Sequence, residues 1–428
     1  MAIISITSTS VAVNPLKHSQ AVGATLAFMG FARIMPVLHG SPGCSAFAKT
    51  PLTNHFREII PLSTTAMTEV VTVLGGEESI IQAILTLVQR HKPEILGLCT
   101  TGLTETRGDD MGRFLKEIRF SLPELNDLPI VLVSTPDFKG TLQDGFAATV
   151  ETIVKEIPQQ KEKRDEKQVT ILASSAFTPG DVQEIKEMCF AFGLNPIVLP
   201  DLSGLLDAEF DNLNSAVTNS GTTLEQLRSL GNSTFTLALG ESMRPSARIL
   251  QQKFRIPYDV FNELTGLQAT DRFLYALAEI SGSKVPEKYH RQRRQLQHAM
   301  LSTHLYFSCK RIAVALEPDL LWSTIDFLQS MAAFIHAAVT TARSPLLEKL
   351  PVSSITIGDL EDFEQLAVGS DLLIANSHAE VIAKRLNIPL YRQGIPIFDR
   401  LGNAHSTKIG YRGTMQQLFD IANLLIKN

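Results

Sequence analysis

Short apolar, β-branched runs recur between amphipathic helical stretches along this 428-residue chain. They constrain its fold more than any other feature. The runs are Ile95–Leu98, Ile130–Val133, Val169–Leu172, Ile197–Leu199, Phe235–Leu239, Ile312–Leu316 and Asp371–Ala375. Each is too short for a helix, and none alternates apolar with polar as a strand with one wet face would. They read as strands buried on both faces, which is the habit of parallel sheets. Between them lie helical patterns. Glu78–Gln89 puts Ile80, Ile81, Ile84, Leu85 and Val88 on one stripe. Pro179–Phe192 opens on Thr178-Pro179-Gly180-Asp181, a strong start signal. Strand alternating with helix predicts an α/β architecture with parallel sheets.

The charged stretch Pro158–Gln168 has no apolar anchor and reads as a linker. A second boundary follows Ser281–Pro286, after which a long helix, Glu287–Leu305, leads to a new strand at Arg311. Three α/β units are expected, 1–160, 161–290 and 291–428. With 44% hydrophobic and 19% charged residues the chain can bury a substantial core. With a net charge of -5, nothing suggests a strongly basic nucleic-acid surface. No uncharged apolar run is long enough to cross a bilayer. Met1–Ser10 lacks the features of a secretory signal. The four cysteines, at 44, 99, 189 and 309, do not form a disulfide framework, so a reducing cytoplasm is expected. There is no GxxxxGK[ST] loop, no GxGxxG fingerprint, no HExxH and no CxxC pair. A nucleotide-driven engine, a zinc protease and a self-contained ferredoxin are thereby disfavoured.

Chemistry concentrates in one loop. The apolar run Ile34–Leu38 leads into His39-Gly40-Ser41-Pro42-Gly43-Cys44. Glycine lets backbone approach closely, and a thiol at a helix start is favoured as thiolate, the form that binds metal. No second cysteine lies nearby, so this loop alone cannot complete a four-ligand site. Cys99, beside Thr100 and Thr101, reads as a core thiol, and Cys189 and Cys309 as structural. His39 could donate to the sulfur of a bound metal centre or to the loop backbone, or be a satisfied strand-end histidine. His55 with Arg57 and Glu58 suggests an ion pair at a helix end, and His378 a capping element. Asp109 and Asp110 suit a helix N-terminus. Lys288, His290, Arg291, Arg293 and Arg294 read as a solvated helix face. In such sheets, sites lie at the carboxyl ends of strands, where these loops fall.

Together the motifs resemble those of the nitrogenase component 1 family. They are His39–Cys44, His55-Phe56-Arg57-Glu58, Met67-Thr68-Glu69, Thr100-Thr101-Gly102 with Gly108-Asp109-Asp110, Asn376-Ser377-His378, Gly394–Arg400 and Gly410-Tyr411-Arg412-Gly413. The resemblance spans essentially the whole chain. It implies three Rossmann-like, doubly wound parallel-sheet domains. Catalytic β subunits of the family contribute three cysteines to an eight-iron cluster. Cys44 matches the first; Leu62 and Gly102 stand where the other two would be. The resemblance thus points to a β-like subunit of the scaffold on which the iron–molybdenum cofactor matures, a chain without independent activity. Cys44 would be one ligand of a [4Fe-4S] cluster shared with a NifE-type α-like partner in an α2β2 heterotetramer. His39, Gly43, Thr101 and Gly102 would surround that ligand. The FeMo-cofactor precursor would be held mainly by the partner, and the nitrogenase iron protein would dock transiently. One alternative is the β subunit of a catalytic relative, of the molybdenum–iron or dark-operative protochlorophyllide reductase type. Another lies outside the family, a sugar- or nucleotide-binding enzyme with a structural Cys44.

Overall fold

The computed structural model describes residues 2–7, 15–74, 77–159, 163–207, 217–218 and 220–426. Three sheets organise it, and every strand pair in them is parallel. The first runs Ser63–Thr64, Ile34–Leu38, Ile95–Cys99, Ile130–Val133 across its width. The second runs Asn195–Leu199, Asp165–Ala173, Ser233–Leu239, Tyr258–Phe261. The third has six strands: Ile3–Ile6, Ser354–Ile357, Phe334–Thr340, Arg311–Ala315, Leu372–Ala375 and Leu390–Arg392. In each sheet the spatial order departs from chain order, so the winding reverses beside one strand. That is the Rossmann-like layout, with helices covering both faces. Ile34–Leu38 and Ile95–Cys99 are buried at every position, as their unalternating apolar composition requires.

Every apolar run read as a strand is one. The helices also fall where the patterns placed them, at Glu77–His91, Pro179–Ala191 and Glu287–Phe307. Two features differ. Ile3–Ile6 pairs with Ser354–Ile357 at the edge of the third sheet, far from the rest of the first unit in the sequence division. Covering an otherwise open edge satisfies a row of backbone groups, a need that no local pattern encodes. Part of the charged stretch read as a linker, Asp165–Gln168, opens the long strand Asp165–Ala173. Ladder hydrogen bonds come from the backbone, so exposed charged side chains do not prevent pairing; Gln160–Glu162 of that stretch lie outside the described residues.

Helix Gln20–Phe28 is buried along its whole length. It lies against helix Leu142–Glu156 with backbone touching backbone. A Cβ at Gly23 would stand 1.8 Å from the Leu142 carbonyl oxygen, and one at Gly145 would stand 2.0 Å from that of Gln20. The three sheets meet at a buried acidic junction. Glu317 accepts from the Thr141 and Thr341 hydroxyls at 3.0 and 2.7 Å. Asp319 accepts from the Ser242 hydroxyl at 2.5 Å, and its N–H donates to Gln143. Burial pushes these acids up, Glu317 to about 7 and Asp319 to about 6.

Gly145→Leu should force the two helices apart. A loss of about 3 kcal/mol or more is expected from overpacking of this kind, read as a lower chemical-denaturation midpoint. A native-like midpoint would show that the helices are not in close contact.

Candidate functional site

In the first sheet the winding reverses between Ile34–Leu38 and Ile95–Cys99. Leu38 lies beside Cys99 in register, so the loops that leave them diverge from adjacent points. Crevices at such reversals are where this class of sheet places ligands. The loop after Leu38 is held on several sides. His39 N–H donates to the Cys99 carbonyl at 2.8 Å. The Thr101 hydroxyl donates to the His39 carbonyl at 3.0 Å. Thr65 Oγ1 accepts from Gly40 N–H at 3.2 Å, while the Gly40 carbonyl accepts from Met67 N–H at 3.0 Å. A side chain at Gly40 would put its Cβ 2.7 Å from Thr101 Cγ2, so glycine is needed for the two loops to touch.

Helix Pro42–Phe56 starts from this pinned loop, with proline at its first position, where no N–H is needed. Cys44 falls in the first turn and is half-buried, and its sulfur accepts from the Ser41 hydroxyl at 3.3 Å. It opens onto a cleft of about 1010 Å³ whose walls include Phe47, Thr101, Phe138, His378 and Phe398. Nothing stands within 3.8 Å of a Cβ at Gly43, and Gly43 lines the cleft as well.

The residues singled out in the sequence fall into two groups. Cys44, Gly43 and Thr101 line the cleft. His39 does not. It is fully buried, with Nδ1 2.9 Å from Thr65 Oγ1 and Nε2 3.6 Å from Asp109 Oδ2. Burial pushes it down to about 4 against the pull of Asp109, so the ring is neutral near neutral pH. It supports the loop through its backbone. Asp109 belongs to this buried network and is clamped by Arg107, whereas Asp110 does cap a helix, accepting from Arg113 N–H at 2.9 Å. Gly102 begins helix Gly102–Arg107, and a Cβ there would meet only ordinary contacts, at 3.5 Å. The fold therefore does not demand glycine at 102. Leu62 is packed into the main core. Cys99 and Cys189 are buried, and burial pushes each thiol up to about 12. Cys309 is exposed.

The expected ion pair at His55 is replaced by a different contact. His55 Nδ1 accepts from Ile397 N–H at 2.9 Å, and the Arg57 guanidinium donates to the Phe398 carbonyl at 3.1 Å. The Asn376 side chain accepts from His378 N–H at 3.1 Å, the capping role expected of that segment. These contacts carry His378, Pro396 and Phe398 to the cleft. His18, a lone histidine ahead of an apolar helix, gave no signal in the sequence. It lines the same cleft, 6.1 Å from the His378 ring, and its buried Nε2 has no hydrogen-bond partner.

Among the described residues, no group of three or more His, Cys, Asp or Glu is placed to hold a metal ion. A thiolate-ligated centre at Cys44 would need its other ligands from outside those residues. A family model described as Nitrogenase component 1 type Oxidoreductase matches residues 19–426. The chain belongs to that family. Its relatives include proteins named nitrogenase iron-molybdenum cofactor biosynthesis protein NifN. The one from Nostoc sp. is 66% identical over 426 residues, covering 100% of this chain and 96% of its own. That from Rippkaea orientalis is 56% identical, covering 97% and 94%. That from Bradyrhizobium diazoefficiens is 45% identical, covering 100% and 92%. Among solved structures, a chain of "Nitrogenase Cp1 at pH 6.5" superposes with a TM-score of 0.91 at 30% identity, covering 98% of this chain and 94% of its own. Membership of the component 1 family removes the reading as an unrelated sugar- or nucleotide-binding enzyme. No described helix is long and apolar enough to cross a membrane.

Burial pushes His55 down to about 4 from 6.5. An unfolded chain takes up that proton below pH 6.5 and the native one does not, so the neutral ring stabilises the fold fully above that pH and loses its contribution on the way to about 4. The stability difference between native protein and His55→Gln should therefore shrink as pH falls through that window. Denaturation at pH 7.5 and pH 5 measures it; an equal difference at both would mean that His55 titrates normally.

Proposed function

We propose that this chain is the β-like subunit of a scaffold for iron–molybdenum cofactor biosynthesis. In this reading Cys44 supplies one thiolate to a [4Fe-4S] cluster, and a NifE-type α-like partner supplies the rest within an α2β2 heterotetramer. The ligand set carries the reading: one half-buried thiol at the mouth of a cleft, with the core residue Leu62 and with Gly102 where catalytic relatives would place further cysteines. The surroundings fit one corner of a shared cluster, because the space over Gly43 is open and the backbone of Gly40 and Ser41 is held in place. When bound, such a cluster supplies one-electron transfer. This chain's part is to fix the thiolate and to close the cleft against water with its partner.

The names of the full-length relatives support the biosynthetic role. Partner binding is supported by the cleft rim, where Phe47 is 84% and Phe138 69% exposed, so that two aromatic rings flank the cleft at the surface. The cofactor precursor is held mainly by the partner, the iron protein docks across both subunits, and the complex works in the cytoplasm. The cluster ligand belongs to an N-terminal domain ending near residue 160, followed by a middle domain to about 290 and a C-terminal domain to 428.

The test compares native and Cys44→Ala complexes, purified without oxygen after co-expression with a NifE-type partner. Cys44→Ala should lose iron and lose or alter the EPR signal of the reduced cluster. Unchanged iron and spectrum would remove Cys44 as a ligand. Substantial acetylene or protochlorophyllide reduction with the iron protein would instead favour a catalytic subunit.

Phe47→Asp should leave the thermal midpoint of the chain unchanged but weaken partner binding on the order of tenfold or more. Undiminished co-purification would place the interface elsewhere.

A further inference from the structure

Ser41 occupies the cap position of helix Pro42–Phe56 yet does not cap it. Its backbone is extended, at φ -74° and ψ 157°, and its side chain accepts no bond from the first turn. Hydroxyls at this position divide in this chain, and Ser19, ahead of helix Gln20–Phe28, likewise makes no side-chain cap bond. Thr101, Thr178 and Thr223 each accept from the N–H three residues on. At Ser41 that N–H, from Cys44, goes instead to the Ser41 carbonyl at 3.2 Å. The hydroxyl is left free of the helix, and it donates to Cys44 Sγ at 3.3 Å.

The donor is held in place. The preceding residue is tied through Thr65 Oγ1 to its N–H and through Met67 N–H and the Thr64 hydroxyl to its carbonyl, and His39 before it is tied to Cys99 and Thr101. The backbone is held on both sides, with Pro42 restricting the next φ, and in the observed rotamer Ser41 Oγ faces the sulfur.

From this geometry we infer that Ser41 is a positioning residue that sets the potential of the cluster held through Cys44; the inference rests on the ligand role proposed above. A hydroxyl donating to a ligand sulfur draws negative charge from it. That favours the reduced, more negatively charged state and raises the potential. A purely structural serine would affect loop stability and leave the potential where it was.

The experiment is a potentiometric EPR titration of the anaerobically purified complex with native chain, Ser41→Ala, Ser41→Thr and Cys44→Ala. Ser41→Ala should keep its full iron complement, titrate at a more negative potential and show shifted g-values. Ser41→Thr, which keeps the hydroxyl, should return toward native. A native potential and spectrum in Ser41→Ala, alongside an altered Cys44→Ala, overturns the role of Ser41 and leaves the ligand reading standing. If Cys44→Ala is also native, both fall. Should Ser41→Ala not assemble, Ser41→Thr and Ser41→Val, alike in shape, carry the test, and equal potentials in that pair overturn the proposal.

Discussion

The parallel ladder between Ile34–Leu38 and Ile95–Cys99 is the constraint on which the site depends. It sets Leu38 beside Cys99, so the two loops that follow start side by side at the strands' carboxyl ends. The winding then sends them in opposite directions and opens the crevice between them. One hydrogen bond, from His39 N–H to the Cys99 carbonyl, extends the ladder a residue past the strands. From there the Gly40–Thr101 contact, the turn at Ser41 and the position of Cys44 all follow. A slip of one residue in that register would turn His39 out of its pocket and move the thiol away from the cleft.

A second set of contacts carries distant parts of the chain to the same place. His55 and Arg57, at the far end of the Cys44 helix, hold the backbone at Ile397 and Phe398. Arg392 braces Asp399, which in turn accepts from Ser377. The first few residues of the chain complete the third sheet. The cleft at Cys44 thus has one wall from the early part of the sequence and one from near its end. The buried junction at Glu317 and Asp319 links all three sheets behind it.

Much of this was legible residue by residue. The unalternating run Ile95–Leu98 could only be a strand covered on both faces, and it is. Thr178-Pro179-Gly180-Asp181 announced a helix start, and Thr178 caps that helix. His39 was readable as a residue of consequence but not in its role: its neighbours Thr65 and Asp109 come from other elements, and spacing does not reveal that Nδ1 bonds Thr65 while Nε2 is buried 3.6 Å from Asp109. His55 was misread as half of an ion pair because Glu58 is near in sequence, while the group that satisfies it, Ile397 N–H, is 342 positions away. His18 carried no local signal whatever. The hydroxyl of Ser41 was visible only as part of a motif, since whether it caps a helix or bonds a sulfur depends on a rotamer.

The amino-acid sequence by itself determined the elements, because strand and helix periodicity are properties of a few neighbouring residues. It also determined the supply of chemistry: one cysteine in a glycine-bracketed loop, with no second cysteine near it in the chain. Only the tertiary structure decided which loops face each other, which histidines are buried neutral, and that the Cys44 thiol stands in an open cleft with a hydroxyl aimed at it. Those outcomes depend on strand register, on close backbone approach at Gly23, Gly40 and Gly145, and on contacts across hundreds of residues. Such contacts leave no periodic trace in the chain, because each is decided by how whole elements pack.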